Sequence, residues 1–302
     1  MPHVIDLHFK TDHTIAAFVV ETSAGPVLIE TGPHSVFDTL RKGLADLGYQ
    51  PGDIRHVLLS HIHFDHAGAA WAFAELGAKV YVHPAGYRHL QDPTKLYQSA
   101  KRIYGDEMET LWGDMRLIPE TQLQVVAHRE EIQIGDHTFR AWHTPGHANH
   151  HIAWQDGRHV FTGDVAGVRI GDGPVVPPCP PPDIFLEAWF DSIQTLRQLA
   201  PDTLYLTHFG PVTSAMTHLD QLEQVLRDWA DWMKQPYEEG RDPQVVTPEF
   251  QAYVANQLQA AGLDAEGIAQ YEAANPSWMS VAGLLRYWKK RDDLLAAYEP
   301  LT

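Results

Sequence analysis

Residues 56 to 68 read His56-Val57-Leu58-Leu59-Ser60-His61-Ile62-His63-Phe64-Asp65-His66-Ala67-Gly68, a short apolar strand that runs straight into three imidazoles and a carboxylate within six positions. Neutral imidazole nitrogen and carboxylate oxygen are donors that suit Zn²⁺, Fe or Mn, with zinc–nitrogen bonds near ~2.0 Å. On extended backbone His61 and His63 share a face. Asp65 and His66, at the turn into the next helix, reach a different point, so one motif can serve two metals.

Two ions need more donors than this segment supplies, and the rest of the chain offers them at the ends of apolar runs. His147 closes Trp142-His143-Thr144-Pro145-Gly146-His147, Asp164 closes Phe161-Thr162-Gly163-Asp164, and His208 sits in Leu206-Thr207-His208-Phe209-Gly210. A glycine near each permits the tight backbone that a crowded site requires. A lone histidine at a strand end is more often a hydrogen-bonded or surface residue, and this chain has 19 of them. His143 and His150 are therefore read as structural, and His151 as a packing or hydrogen-bonding residue. Cys179, in a proline loop and without an identifiable histidine partner, is read as incidental.

The ordered set His-x-His-x-Asp-His, Thr-Pro-Gly-His, Gly-Asp and Thr-His resembles the metallo-β-lactamase superfamily over about residues 1 to 212. The resemblance implies an α/β fold, a four-layer αββα sandwich with a binuclear metal site at one edge. It also implies ligands: His61, His63 and His147 on one ion, Asp65, His66 and His208 on the other, and Asp164 bridging both. The implied activity is hydrolysis of a small or medium ester, thioester, lactone, amide or phosphoester by a metal-bridging hydroxide, which Asp65 would help orient. Two divalent ions are expected, zinc first, with iron or manganese as alternatives. Some departures narrow the branch. Gly167 stands where acyl-homoserine lactonases often carry a tyrosine, Val165-Ala166-Gly167-Val168-Arg169 lacks the glycine-cysteine-glycine loop of hydroxyacylglutathione hydrolases, and no room exists between Asp164 and His208 for the extra domain of the nuclease branch. Glu30-Thr31-Gly32 replaces the commoner Asp-Thr-Gly, which points to a difference in support behind the ligands.

Outward from the motif, residues 1 to about 30 alternate like antiparallel strands. Helices are expected over 35–47, 67–76 and most of 84–116, and strands near 79–82, 122–126, 131–134, 138–142, 152–154 and 159–161. Val175 to Pro182 holds five prolines and must be a stiff loop. A last helix over 184–199 and a strand over 203–207 lead to His208. From residue 214 the pattern is helical, over 219–234, 248–261, 264–274 and 276–290. The expected division is a catalytic domain at 1–213 and a helical extension at 214–302, which could cap the core or form a homodimer contact.

A chain of 302 residues with 44% apolar content can bury a large core. Its net charge of -17, with no basic stripe, argues against nucleic acid as a partner. One cysteine excludes an intrachain disulfide and a cysteine-based zinc site. No apolar run approaches the ~20 residues of a membrane span, and Met1-Pro2-His3-Val4-Ile5-Asp6 does not resemble a secretory signal, so a soluble cytoplasmic enzyme is expected. The partner is then a small molecule, held by substrate-binding residues that no motif names. Tyr87, Tyr97, Tyr104, Trp112, Arg169 and Phe185 lie on segments expected to wall its pocket. Two other activities fit the same donors: an iron-dependent oxidoreductase on this scaffold, and a metal-containing ligand-binding protein with little turnover.

Overall fold

Along residues 16 to 22, successive side chains belong alternately to two hydrophobic clusters: Ala16, Phe18 and Val20 to one, Ala17 and Val19 to the other. Period-two alternation with both faces buried is the signature of a strand covered on both sides. The same division recurs at Val57, Leu58 and Leu59, and at Leu204, Tyr205 and Leu206. The computed structural model describes residues 1–300 and builds two six-stranded sheets from such segments.

In the first sheet β1 (His3–Asp6), β2 (Ala16–Thr22), β3 (Gly25–Ile29), β4 (His56–Leu58), β5 (Lys79–Val82) and β6 (Leu123–Val125) lie in sequence order, antiparallel up to β3 and parallel from β3 onward. The second sheet holds β7 (Glu131–Ile134), β8 (His137–His143), β9 (Ile152–Asp156), β10 (His159–Gly163), β11 (Thr203–Leu206) and β12 (Gly210–Val212), antiparallel except for the parallel pair β10–β11. Phe18, Phe139, Trp154 and Phe161 fill the space between the sheets. Each such fully buried aromatic contributes roughly 1.5–3 kcal/mol.

Helices cover both outer faces. On the first sheet Leu40 and Leu44 of α1 (Phe37–Asp46) and Phe73 of α3 (Ala70–Glu75) pack against Leu28, Val57 and Val80; the short α2 (Phe64–Ala67) precedes α3. The expected single helix over 67–76 is thus broken at Gly68, because the Ala69 amide donates to the Gly32 carbonyl at 3.0 Å instead of to the preceding turn. The 84–116 segment becomes α4 (Pro84–Gln91), α5 (Thr94–Tyr104) and α6 (Met108–Trp112), separated at Pro93 and at Gly105, whose φ of +56° ends a helix.

On the second sheet α7 (Leu186–Leu199) supplies Trp189 and Leu196, and α8 (Ala215–Glu238) supplies Leu222 and Trp229, against Val160 and Leu204. This cluster continues without a break into Phe250 of α9 (Pro243–Ala260) and Leu284 of α11 (Ser277–Ala297), with the shorter α10 (Ala265–Ala274) between them. α9 starts five residues before the expected Pro248, because Asp242 caps it by accepting from the Gln244 amide at 2.8 Å and Pro243 takes the first helical position. Where α11 crosses the proline loop, a Cβ on Gly283 would lie 1.9 Å from the Cys179 carbonyl oxygen, so only glycine permits this approach. No helix among the described residues is long and apolar enough to cross a membrane.

Candidate metal centre

The edge where the two sheets meet is fastened by two bonds: the Ile152 amide donates to the Ser60 carbonyl at 2.7 Å, and the Trp154 indole donates to the Leu59 carbonyl at 2.9 Å. They hold the end of β4 against the start of β9, so the histidine motif faces the loops carrying His147 and Asp164. The seven residues singled out from sequence all come together here. His63 Nδ1 lies 2.8 Å from His61 Nε2 and 3.2 Å from His147 Nε2. Asp65, His66 and His208 form a second group whose donor atoms also lie within 4.8 Å of one another.

Asp164 stands between the groups. One carboxylate oxygen is 3.2 Å from His147 Nε2, and the other is 3.1 Å from His66 Nε2 and 3.3 Å from His208 Nε2. Its approach is tight: Gly163 has a φ of +51°, and a Cβ there would sit 2.5 Å from Ser60 and 2.6 Å from His151 Nε2. His151 accepts from the Asp164 amide at 3.2 Å and pairs through Nδ1 with the Thr144 hydroxyl at 2.8 Å, a hydrogen-bonding role that steadies the Asp164 loop.

Each donor ring is aimed from behind. His66 Nδ1 meets the Glu30 carboxylate, which also accepts from the Ser60 amide at 2.6 Å. Glu30 reaches this position from the left-handed region at φ +65°, uncommon for a residue with a side chain. His147 Nδ1 donates to the Pro178 carbonyl at 2.9 Å, and His208 Nδ1 to the Thr14 carbonyl. With Nδ1–H so engaged, Nε2 is the nitrogen that all three rings aim at the centre. Pro178 belongs to a stretch held on both sides by the C-terminal helices, since the Pro177 carbonyl accepts from Asn275 Nδ2 at 3.1 Å and the Cys179 amide donates to Ser280 Oγ at 3.4 Å.

Electrostatics divides the centre. Burial, reinforced by neighbouring rings, lowers His61 well below its usual pKa and His63 to about 4, and burial lowers His147. Burial also opposes charge on His66 and His208, but there the carboxylates win. Asp164, Asp65 and Glu30 raise His66 well above its ordinary value, and Asp164 and Asp65 raise His208 to about 10. Against the cost of burial, His66 and His208 hold Asp65 down to about 2.

These residues fit a cation. His66 Nε2 and Asp164 Oδ1 are buried without a hydrogen-bond partner, although they face each other. Three ring nitrogens crowd one point at His63. Positive charge between them would satisfy lone pairs that protons cannot satisfy together. The donor set is that of a divalent metal site.

A cavity of about 590 Å³ opens from Asp65, Asp164 and His208. Of the six residues expected on its wall, Tyr104 and Trp112 line it, and Tyr87, Tyr97, Arg169 and Phe185 do not. Tyr97 packs on Phe64, Phe185 is buried against Tyr298, and Arg169 exchanges backbone hydrogen bonds with His208 and Phe209. His143 is structural, bonded through Nε2 to the Val126 carbonyl at 2.9 Å, whereas His150 lines the cavity. Cys179 is fully buried, and burial raises its pKa, so its thiol is inert. Sequence reasoning missed the aiming carbonyls of Thr14 and Pro178, which no side-chain pattern reveals, and the wall residues Pro276, Trp278 and Met279 from the C-terminal helices.

A family model described as the metallo-beta-lactamase superfamily matches residues 11–208. A metallo-beta-lactamase fold-containing protein, ST1585 of Sulfurisphaera tokodaii, is 30% identical over 173 residues, 55% of this chain and 66% of that protein. An N-acyl homoserine lactonase of a Bacillus species is 26% identical over 163 residues, 46% of this chain and 57% of that protein. The chain therefore spans somewhat less than two thirds of the length of these curated relatives. In fold, it is similar to the solved structure of TTHA1429, a metallo-beta-lactamase family protein of Thermus thermophilus, at a TM-score of 0.67 and 17% identity, covering 96% of this chain and 94% of that one.

Proposed function

Since the chain belongs to the metallo-beta-lactamase superfamily, we propose that it is a hydrolase with a binuclear centre, acting on a small or medium ester, thioester, lactone, amide or phosphoester. The observation that carries this reading is the position of Asp164, with one oxygen toward His147 and the other toward His66 and His208. His61, His63 and His147 would hold one ion, Asp65, His66 and His208 the other, and Asp164 would join them. When bound, a pair of divalent ions, zinc foremost, would lower the pKa of a water to make it the nucleophile and polarise the scissile oxygen.

The chain's own groups prepare this chemistry. Glu30, Pro178 and Thr14 fix the three rings so that no reorientation is needed on binding. Asp65, which lines the cavity with its carboxylate held ionised, is placed to accept a hydrogen bond from the attacking water. Tyr104 lines the same cavity, protonated because burial and then the Asp65 charge raise its pKa, and among the described residues its hydroxyl meets only the Met279 sulfur at 3.7 Å; it is available to donate to a substrate oxygen. In this reading residues 1–213 are the catalytic unit, residues 214–302 its helical extension, and the buried lone cysteine suits a reducing cytoplasm.

Metal content measured alongside turnover of an ester, thioester, lactone and phosphoester panel tests the proposal. Two ions per chain and hydrolysis that a chelator abolishes and added zinc restores are expected. Oxygen uptake coupled to turnover would replace the reading with an oxidoreductase, and full metal occupancy without turnover of any substrate class would replace it with a binding protein.

A further inference from the structure

From Phe64, between the donor residues His63 and Asp65, a succession of aromatic rings leads away from the centre. Phe64 lies 5.9 Å from Trp112, Trp112 lies 5.2 Å from Tyr104, and Tyr104 lies 6.1 Å from Trp278. All four line the cavity. Phe9 stacks on Trp112 at 5.4 Å and extends the same wall, while Ile103 of α5 and the Pro180–Pro182 segment also line it. These elements come from opposite ends of the chain. Pro276, Trp278 and Met279 belong to the junction of α10 and α11, so the C-terminal helices form one side of a chamber whose reactive end is built by residues 61 to 208.

The lining is mostly rings, aliphatic carbon and proline, interrupted by the Tyr104, Thr14 and Ser99 hydroxyls and by Lys10, Lys95, Glu107 and Asp183. A largely apolar chamber favours a ligand that covers its wall with hydrocarbon. We infer that the substrate is a carboxylic ester, thioester or lactone with a medium-length apolar acyl chain, which lies along the Phe64–Trp112–Tyr104–Trp278 wall, and that Trp278 and Ile103 set the preferred length. This inference rests on the hydrolase reading for its reactive group. The apolar chain rests on the wall alone.

The two can fail separately. In the metal-loaded full chain, kcat/KM for a series of straight-chain thioesters from acetyl to dodecanoyl is expected to climb about three- to fourfold per methylene until the wall is covered. Trp278, 38% exposed, can be shortened without opening the core, and in Trp278→Ala the decanoyl-to-acetyl ratio of kcat/KM is expected to fall roughly tenfold, with a smaller fall in Ile103→Ala. A profile flat within twofold from acetyl to dodecanoyl, or a ratio unchanged by both substitutions, overturns the inference. Should no ester, thioester, lactone or phosphoester of the panel turn over, the hydrolase reading fails and calorimetry on the metal-free chain decides the rest. Octan-1-ol binding at least tenfold more tightly than butan-1-ol, with the gap narrowed by Trp278→Ala, upholds the apolar chamber, and equal affinities refute it.

Discussion

The two halves of the centre are made of different chemistry. His61, His63 and His147 are three imidazoles whose pKa values burial drives down, so at neutral pH they already offer lone pairs. Asp65, His66 and His208, with Asp164 beside them and Glu30 behind, pair two imidazoles with three carboxylates, which favour the cationic form of both rings when no metal is bound. Identical residue types thus give one half ready to bind a cation and one half that must first release protons. The difference comes from how many carboxylates face each ring, not from burial, since all five rings are buried or nearly so.

The comparison can be broken most severely at its shared member. Asp164→Asn keeps the shape but removes the charge both halves use, and activity is expected to fall about a thousandfold or more, with metal content by elemental analysis falling below one ion per chain. Single substitutions then separate the halves: His63→Ala and His208→Ala should each leave about one ion per chain, measured after dialysis against zinc.

The proton difference gives a pH test with a definite sign. Because His66 and His208 have raised pKa values, a metal ion entering their half displaces protons, and its affinity should rise about tenfold per pH unit per proton from about pH 7 to pH 9. The affinity of the His61–His63–His147 half should stay nearly flat over the same range, because those pKa values lie below it. Calorimetric zinc titration of the His208→Ala and His63→Ala variants in buffers of different protonation enthalpy would read both. A smaller effect belongs to the support behind one ring. Glu30→Gln should weaken metal binding in the second half 10- to 100-fold and leave the first half almost unchanged. Smallest of all, Thr144→Val removes the bond that orients His151, and about a fivefold loss of activity is expected, measured as kcat/KM on the best substrate of the panel.

The gathering of these histidine and aspartate side chains could be read from sequence because sites suited to a metal draw on few residue types, and because strand-to-turn junctions put His147, Asp164 and His208 into recognisable short patterns. The four-layer fold followed from the resemblance, and the residues themselves reported strands and intervening helices; which covered face each side chain of Ala16–Val20 joins is decided only by packing. The cavity wall was not legible. Tyr97 and Phe185 are aromatic and close in sequence to true wall residues, yet pack elsewhere: helix rotation turns Tyr97 of α5 onto Phe64, and Phe185, just before α7, packs on Tyr298. Trp278 is remote in sequence from Tyr104 and meets it only through the packing of the C-terminal helices on the second sheet. The start expected at Pro248 lies at Pro243 instead, because the Asp242 carboxylate caps the helix there, a pairing that the apolar spacing does not report.

Three consecutive residues of the proline loop answer to different parts of the molecule: Pro177 to Asn275, Pro178 to His147 and Cys179 to Ser280. Proline rings forbid the φ rotations by which an ordinary loop would absorb a nudge at one end. A chimera that exchanged the last three helices for those of a relative would therefore tilt an imidazole that those helices never touch, so grafting a new chamber wall would retune cation affinity at the same stroke.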